Sequence, residues 1–284
     1  MTLLAGRKCH GVLNPLHSLV YFAPEAEEEF TRAGLEPGRM GYFAGRAAAM
    51  GAVGAGPVAA AFFNFSPGLV ARHLPRAWGL ASPERVLDAR YRAVDRVLRR
   101  LLGDGLADDP EVAEASGLLL PAVRALPVAG RVLYAAHAAL PVPDEPHLAL
   151  WHAITLLREH RGDGHLVALA AAELDGVQAL ITHTATGRGF TAPFARGSRG
   201  WTDTEWARAT EELTERGLLD AVGGLTTAGR DLRRAVEDRT DRLARAPYEA
   251  IGADGVQRLT EIGGRLTSTA LANGAFPSGV FASA

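Results

Sequence analysis

The 284-residue chain contains one cysteine and one lysine. Cys9 has no partner cysteine, so an internal disulfide and a cysteine-rich metal site are both excluded, and a reducing compartment is expected. Because Lys8 is the single lysine, nearly all of the basic charge is arginine. The formal net charge is −2, which predicts no overall attraction to nucleic acid or to an anionic membrane.

Long hydrophobic runs are also missing. The most apolar stretch, residues 47–65, is interrupted by Gly51, Gly54, Gly56 and Pro57, which makes it a poor membrane span. The N-terminus lacks the basic region and continuous apolar segment of a signal peptide. These absences predict a cytoplasmic protein without a membrane partner.

Motifs of the common catalytic classes do not occur. The chain has no HExxH sequence, Walker A loop, nucleophile elbow or dinucleotide-binding fingerprint. His160 and His165 are five residues apart and would not share a helix face, so no metal site is predicted. The sequence identifies no cofactor and leaves enzymatic activity undecided.

Helical patterns dominate what is present. Ser82-Pro83 combines an N-cap serine with proline at the first helical position, and an apolar stripe follows at helical spacing. Residues 148–158 and 257–271 carry similar patterns. Extended structure is predicted only for short pieces, chiefly a hairpin near 222–225. The fold class is therefore predicted to be mainly α.

The order of helices and turns occurs twice along the chain. Residues 29–51 and 166–187 each contain a helix, a short turn and a second helix, although few residues are identical. We therefore predict two copies in one chain, residues 1–145 and 146–284. The alternative is one irregular helical domain in which the similar turns are coincidental.

Residues 200–230 have the order of a winged helix, with a capped helix, a glycine stop, a short hairpin and a long helix. The helix that would enter the DNA groove carries more carboxylates than guanidinium groups. The acidic residues are Asp203, Glu205, Glu211, Glu212 and Glu215, and the basic residues are Arg208 and Arg216. Arginine and lysine contacts to phosphate supply much of DNA affinity. Because the turn at Gly223-Gly224 also lacks a basic residue, DNA binding is predicted to be impaired.

The second half resembles MarR-type winged-helix regulators over roughly residues 166 to 243. The motifs that carry this resemblance are Leu174–Leu180, Glu212–Leu219 and Leu225–Arg230. The whole chain is similar to an actinobacterial family of about this length. The motifs shared with that family are GYFAGRAA at 41–48, FFNFSP at 62–67 and LREHRGDGH at 157–165. The resemblance implies two fused winged-helix copies that form a pseudo-dimer, with short β-hairpin wings, and it implies no established reaction.

The hexapeptide His160-Arg161-Gly162-Asp163-Gly164-His165 is the most unusual in the chain. Its glycines would allow a tight turn or a close approach to a ligand. One interpretation makes His165 a catalytic general base whose tautomer is fixed by Asp163. The alternative is a helix break in which Asp163 caps the following helix.

A second group of polar residues interrupts apolar segments, mostly in the first half. His17 and Tyr21 are four residues apart and would share one helical turn. Buried polar groups need partners, which either a small-molecule pocket or mutual hydrogen bonds in the core would supply. The candidate ligand-binding residues are His17, Tyr21, Tyr42, Arg46, Asn64 and Arg158. We expect them, with His165, to line a cleft between the helical interface and a winged-helix lobe.

These observations predict a small-molecule-binding protein on a winged-helix scaffold that has lost DNA binding, either a binder or an enzyme of secondary metabolism. The alternative is a ligand-responsive MarR-type transcriptional regulator that presents a basic face to DNA. The arginines available for that face are Arg72, Arg76, Arg188, Arg196 and Arg199. A third hypothesis is an acid–base enzyme that uses His165 with Asp163. The expected assembly is a monomer with internal pseudo-symmetry or a homodimer.

Overall fold

The computed structural model describes residues 3–278 and is built mainly from α-helices, as predicted. The helices are α1 (Leu3–Ser18), α2 (Pro24–Arg32), α3 (Arg39–Ala47), α4 (Ala55–Phe62), α5 (Pro67–Ala71), α6 (Pro83–Leu102), α7 (Pro110–Arg124), α8 (Val132–Ala138), α9 (Pro146–Ala170), α10 (Gly176–Thr184), α11 (Ala192–Arg199), α12 (Asp203–Glu215), α13 (Thr227–Leu243) and α14 (Ala246–Ala272). None of them is both long enough and apolar enough to cross a lipid bilayer.

The predicted β-hairpin wings are wrong. Residues 3–278 contain no β-strand, and Leu219 and Leu225 form only an isolated antiparallel bridge. The Asp220 carboxylate accepts hydrogen bonds from the backbone N–H of Val222 at 3.0 Å and of Gly224 at 2.8 Å. These bonds close the tight turn between the two bridge residues, and on the other side of the bridge α12 ends at Glu215 and α13 begins at Thr227, so too few residues remain to extend a ladder. The fold is therefore an α-helical one and not a pair of winged helices.

The chain divides into two compact units, each discontinuous in sequence. The first unit contains the chain up to Val53, Leu74–Gly164 and Asp241–Phe276, and the second contains Gly54–His73 and His165–Thr240. This division describes packing and does not test common ancestry. Two copies that meet at residue 145 therefore stay a prediction.

In the first unit, α14 packs against both α1 and α7, and α2 packs against α6. The predicted start of α6 is confirmed, because the Ser82 hydroxyl accepts from the Arg85 backbone N–H at 3.3 Å and Pro83 is the first helical residue. The apolar stripe of α6 is buried from Val86 to Leu101. Its burial contributes to the hydrophobic stabilisation of this unit.

Helix α9 runs without a break through the hexapeptide at 160–165, where a turn or a helix break was predicted. A Cβ atom at Gly164 would lie 2.2 Å from Nη1 of Arg131. That guanidinium donates to the His160 carbonyl at 2.5 Å and to the Leu243 carbonyl at 2.9 Å. Gly164 therefore permits the close approach of an arginine to a helix, and it does not supply a turn.

In the second unit, α10 packs against α11 and α12. Two capping boxes define the helix starts: Asp175 with Gln178 for α10, and Thr202 with Glu205 for α12. Side chains from these helices and from the turn after α12 form one apolar core. The packing of α10 and α12 in this unit is thus fixed by local caps and a shared core.

Candidate ligand-binding site

The candidate site lies in the first unit, where the side chains of α9 are buried on nearly every side. A helix buried all round is normally apolar, but this part of α9 carries polar and charged groups. Those that are buried are His147, His152, Thr155, Glu159, His160 and Asp163. Buried polar groups require partners, and the partners of α9 define the site.

Aromatic rings from three segments meet on α9. His17, near the end of α1, stacks on Trp151 with ring centroids 5.0 Å apart and planes 6° apart. Tyr21 contacts His17 edge-on at 5.5 Å and Tyr42 of α3 at 5.1 Å. The structure therefore brings together three of the candidate ligand-binding residues.

Arg46 and Arg158, two further candidates, share one buried carboxylate. Arg46 Nη2 lies 3.3 Å from Glu159 Oε2, and Arg158 Nη1 lies 2.5 Å from Glu159 Oε1. Arg46 also donates to the Tyr42 hydroxyl at 3.3 Å. Burial alone would raise the pKa of Glu159, but the guanidinium groups of Arg158 and Arg46 lower it to about 2. Glu159 is therefore ionised at neutral pH and holds both arginines.

A third guanidinium, that of Arg90 on α6, is 2% exposed and completes the group. Its Nη2 lies 3.5 Å from His17 Nε2, its Nη1 lies 3.5 Å from His137 Nε2, and its centre lies 4.8 Å from the Trp151 ring centroid. Burial and the nearby arginines lower the pKa of His17 well below its usual value. Burial and Arg90 lower the pKa of His137 to about 3. Both imidazoles are therefore neutral and accept from Arg90.

These side chains form what we call the polar cluster. Its members are His17, Tyr21, Tyr42, Arg46, Arg90, His137, Trp151, Arg158 and Glu159. They come from α1, α3, α6, α8 and α9 and from the turn that follows α1.

A cleft of about 350 Å³ opens beside the polar cluster, within the first unit. Tyr21, Tyr42 and Arg90 lie on its wall, so the cleft borders the cluster. Most of the remaining wall is apolar. It includes Val20, Phe22, Ala23, Pro24, Phe30 and Pro37. An apolar cleft with a few convergent polar groups is typical of a small-molecule site.

Two glycines of α3 shape this cleft by admitting an aromatic ring. A Cβ atom at Gly41 would lie 2.7 Å from Phe30 Cδ2, and one at Gly45 would lie 2.6 Å from Phe30 Cζ. Both distances are shorter than a van der Waals contact allows. Phe30 therefore packs directly on α3 because these two positions lack side chains, and all three residues line the cleft.

Asn64 does not join the polar cluster, because it belongs to the second unit. It lies between α4 and α5, and its backbone carbonyl accepts from Trp201 Nε1 at 2.9 Å. Its Oδ1 is buried and has no hydrogen-bond partner among residues 3–278. The ligand-binding role of Asn64 stays a prediction.

Asp163 and His165, the candidate catalytic pair, each have a partner of their own. Asp163 Oδ2 accepts from the Tyr134 backbone N–H at 2.9 Å, in the first turn of α8. Burial raises the pKa of Asp163 to about 6. His165 Nδ1 lies 2.8 Å from Thr240 Oγ1 in the second unit. A general-base role for His165 therefore stays a prediction.

Helix α12 corresponds to the helix that would enter the DNA groove in a winged helix. Its arginines contact other groups of the protein. Arg208 Nε lies 3.5 Å from Glu212 Oε1, and Arg216 donates to the Glu173 carbonyl at 2.9 Å. Trp206 packs half-buried on the core of the second unit. Asp203, Glu211 and Glu215 are exposed. The exposed charge of this helix is mainly negative.

Three of the five arginines proposed for a basic face have partners. Arg76 contacts Glu36 with both terminal nitrogens, at 2.7 and 2.6 Å. Arg196 pairs with Asp203 at 2.5 Å. Arg199 lies over the Phe65 ring, 4.5 Å from its centroid. Only part of the expected positive charge is therefore available to phosphate.

Sequence reasoning missed four members of the polar cluster: Arg90, His137, Trp151 and Glu159. Arg90 carries a detectable signal, because it lies four residues after Val86 and three before Ala93, on the apolar stripe of α6. A charged residue on an apolar stripe is expected to be buried with a partner. Glu159 gives no comparable signal, since its partner Arg46 is 113 residues away.

The profile of a helix-turn-helix family matches residues 6–277. No curated protein and no solved structure matches the chain. The matched range contains every helix from α2 to α14, and it includes all members of the polar cluster. The chain belongs to a helix-turn-helix family.

Proposed function

We propose that the chain is a small-molecule-binding helix-turn-helix protein whose ligand occupies the cleft of the first unit. The observation that carries this proposal is a set of buried polar atoms in the polar cluster, one of which belongs to Tyr21 on the cleft wall. Tyr21 Oη, His17 Nδ1 and Trp151 Nε1 are buried, and none has a hydrogen-bond partner among residues 3–278. Folded proteins leave few buried polar atoms unpaired, since each costs about 1 to 3 kcal/mol.

The composition of the cleft wall supports the same proposal. Apolar side chains provide contact area, while Tyr21, Tyr42 and Arg90 provide directional groups at one side. The polar cluster behind that side is held by stacking and by the Glu159 ion pairs. A pre-formed arrangement of this kind lowers the entropy lost on binding.

The test is a fragment screen by thermal shift, followed by calorimetry of the hits and native mass spectrometry of the protein as purified. Thr31→Trp should block the cleft, because Thr31 is exposed and lies on its wall. Thr269→Trp on α14 is the matched control, since Thr269 is exposed and does not line the cleft.

We expect hits whose affinity falls at least tenfold in Thr31→Trp and is unchanged in Thr269→Trp. Hits that bind Thr31→Trp as tightly as the wild type would place the ligand elsewhere. A screen without hits, together with a purified protein that carries no small molecule, would refute the proposal.

A transcriptional regulator is the second candidate, and membership of a helix-turn-helix family favours it. The exposed carboxylates of α12 oppose it. We expect duplex DNA to bind no more tightly than the non-specific range of about 10⁻⁴ to 10⁻⁶ M at physiological salt. Fluorescence anisotropy with random and genomic duplexes measures this. Nanomolar binding to one sequence, with a steep salt dependence, would favour the regulator.

A further inference from the structure

The polar cluster contains more positive than negative charge. Arg46 and Arg158 share the carboxylate of Glu159. Arg90 has no carboxylate within ion-pair distance anywhere in residues 3–278, although it is 2% exposed. Burying a charge without a counter-ion is costly, so buried charges are normally paired. Arg90 helps to lower the pKa of Glu159 from beyond ion-pair distance, but that carboxylate already pairs with two other arginines, so an additional anion would balance the charge of Arg90.

The immediate neighbours of Arg90 do not supply that anion. His17 and His137 are neutral acceptors at 3.5 Å, which is long for a hydrogen bond. Trp151 offers only the face of its ring, 4.8 Å from the guanidinium centre. The guanidinium has five N–H donors, so these contacts leave part of its donor capacity for a ligand.

Arg90 lies on the cleft wall beside Tyr21, whose buried hydroxyl has no hydrogen-bond partner in the described chain. Two carboxylates also line the cleft, on exposed residues. Glu36 is paired with both terminal nitrogens of Arg76, and Glu27 faces water, where its charge is screened. An anion at Arg90 would therefore meet a cation and a donor in a mostly apolar surrounding.

We infer that the cleft binds a small organic carboxylate with an apolar or aromatic body. The carboxylate would accept hydrogen bonds from the Arg90 guanidinium and the Tyr21 hydroxyl, and the body would lie along Phe22 and Phe30. A phosphate fits less well, because a dianion needs more donors than one guanidinium and one hydroxyl provide. This inference rests on the proposed function and names the ligand class of the same cleft.

The experiment compares matched probes that differ only in charge. Benzoate, phenylacetate and 2-naphthoate are titrated by calorimetry at pH 7.5 against their primary amides and the corresponding amines. The variants are Arg90→Met, Arg90→Lys and Tyr21→Phe. The matched control is Arg85→Met, because Arg85 lies on the same helix and is exposed. Circular dichroism and thermal midpoints establish that each variant is folded.

We expect at least one carboxylate to bind tenfold or more tightly than its amide and its amine. Arg90→Met should abolish this preference, and Arg85→Met should leave it intact. If Arg90→Met does not fold, Arg90→Lys should reduce the preference, since lysine keeps the charge but loses the planar fork. Tyr21→Phe should weaken the carboxylate several-fold more than the amide.

Amides or amines that bind as tightly as the carboxylates would overturn the inference and leave the proposed function standing. A carboxylate preference that survives in Arg90→Met would also overturn it. If none of the nine probes binds, the proposed ligand class is refuted. Hits from the fragment screen would then show that the cleft binds a ligand of another class.

Discussion

Asp163→Asn should change the pH dependence of stability, and the size of the change follows from the structure. Asp163 is 5% exposed and accepts a hydrogen bond from the Tyr134 backbone N–H. Burial raises its pKa from 3.8 to about 6. The folded protein therefore binds the Asp163 proton more tightly than the unfolded chain does.

The sign follows from proton linkage. A carboxyl group whose pKa is raised by folding contributes most to stability at low pH, and this contribution is lost as the pH rises from about 4 through about 6. Each pKa unit of difference between the folded and unfolded states corresponds to about 1.4 kcal/mol, so the full loss of stability is about 3 kcal/mol. Between pH 4.5 and 7.5 the linkage relation gives about 2 kcal/mol.

The assay is urea unfolding of the wild type and of Asp163→Asn at half-unit steps from pH 4.5 to 7.5. The asparagine cannot ionise, and every other titrating group is common to both proteins. The free energy of unfolding of the variant, minus that of the wild type, should therefore rise by about 2 kcal/mol across this range. The substitution also changes the hydrogen bond from the Tyr134 backbone N–H, but this shifts the free energy of unfolding by a constant amount and does not affect its change with pH. Two parallel stability curves would refute a raised pKa at Asp163.

Three further substitutions test a buried ion pair, a close contact at a glycine and a helix cap. Glu159→Gln should destabilise the fold by roughly 3 to 5 kcal/mol in urea unfolding, because the buried guanidinium of Arg46 loses its counter-ion; a loss below 1 kcal/mol would contradict this ion pair. Gly164→Ala should cost about 1 to 3 kcal/mol, since its methyl group would meet the Arg131 guanidinium, and an unchanged thermal midpoint would show that the arginine moves freely. Thr202→Ala should cost about 1 kcal/mol through loss of a helix cap, and a change within 0.3 kcal/mol would argue against that cap.

Much of the fold follows from local sequence. Helix starts at Ser82 and Thr202 are predictable because the capping residue and its backbone partner lie three residues apart. The mainly α class follows from apolar periodicity in the same way. The predicted β-hairpin near 222–225 fails because only eleven residues separate the end of α12 at Glu215 from the start of α13 at Thr227, so the pairing stops at a single bridge.

The candidate site was predictable only in part. His17, Tyr21 and Tyr42 stand out as polar residues in apolar segments, and the structure brings them together. The two glycines at 162 and 164 suggested a turn, because glycine at two nearby positions usually indicates one. Gly164 instead accommodates Arg131, which approaches from a distant segment. A contact between residues so far apart in sequence produces no local sequence pattern from which it could be predicted.

The pairing of the other arginines of α6 explains why Arg90 is informative. On the face that packs against α2, Arg92 and Arg96 both contact Glu29, and Arg100 contacts Glu25. Those arginines are more exposed than Arg90, so their charges need a counter-ion less. Among the described residues, Arg90 and the exposed Arg85 are the arginines of α6 without a carboxylate partner, and of these two only Arg90 is buried. A structural role in the core would favour the opposite distribution, with the counter-ion at the most buried charge. The charge pattern of α6 therefore supports the proposed anionic ligand at Arg90.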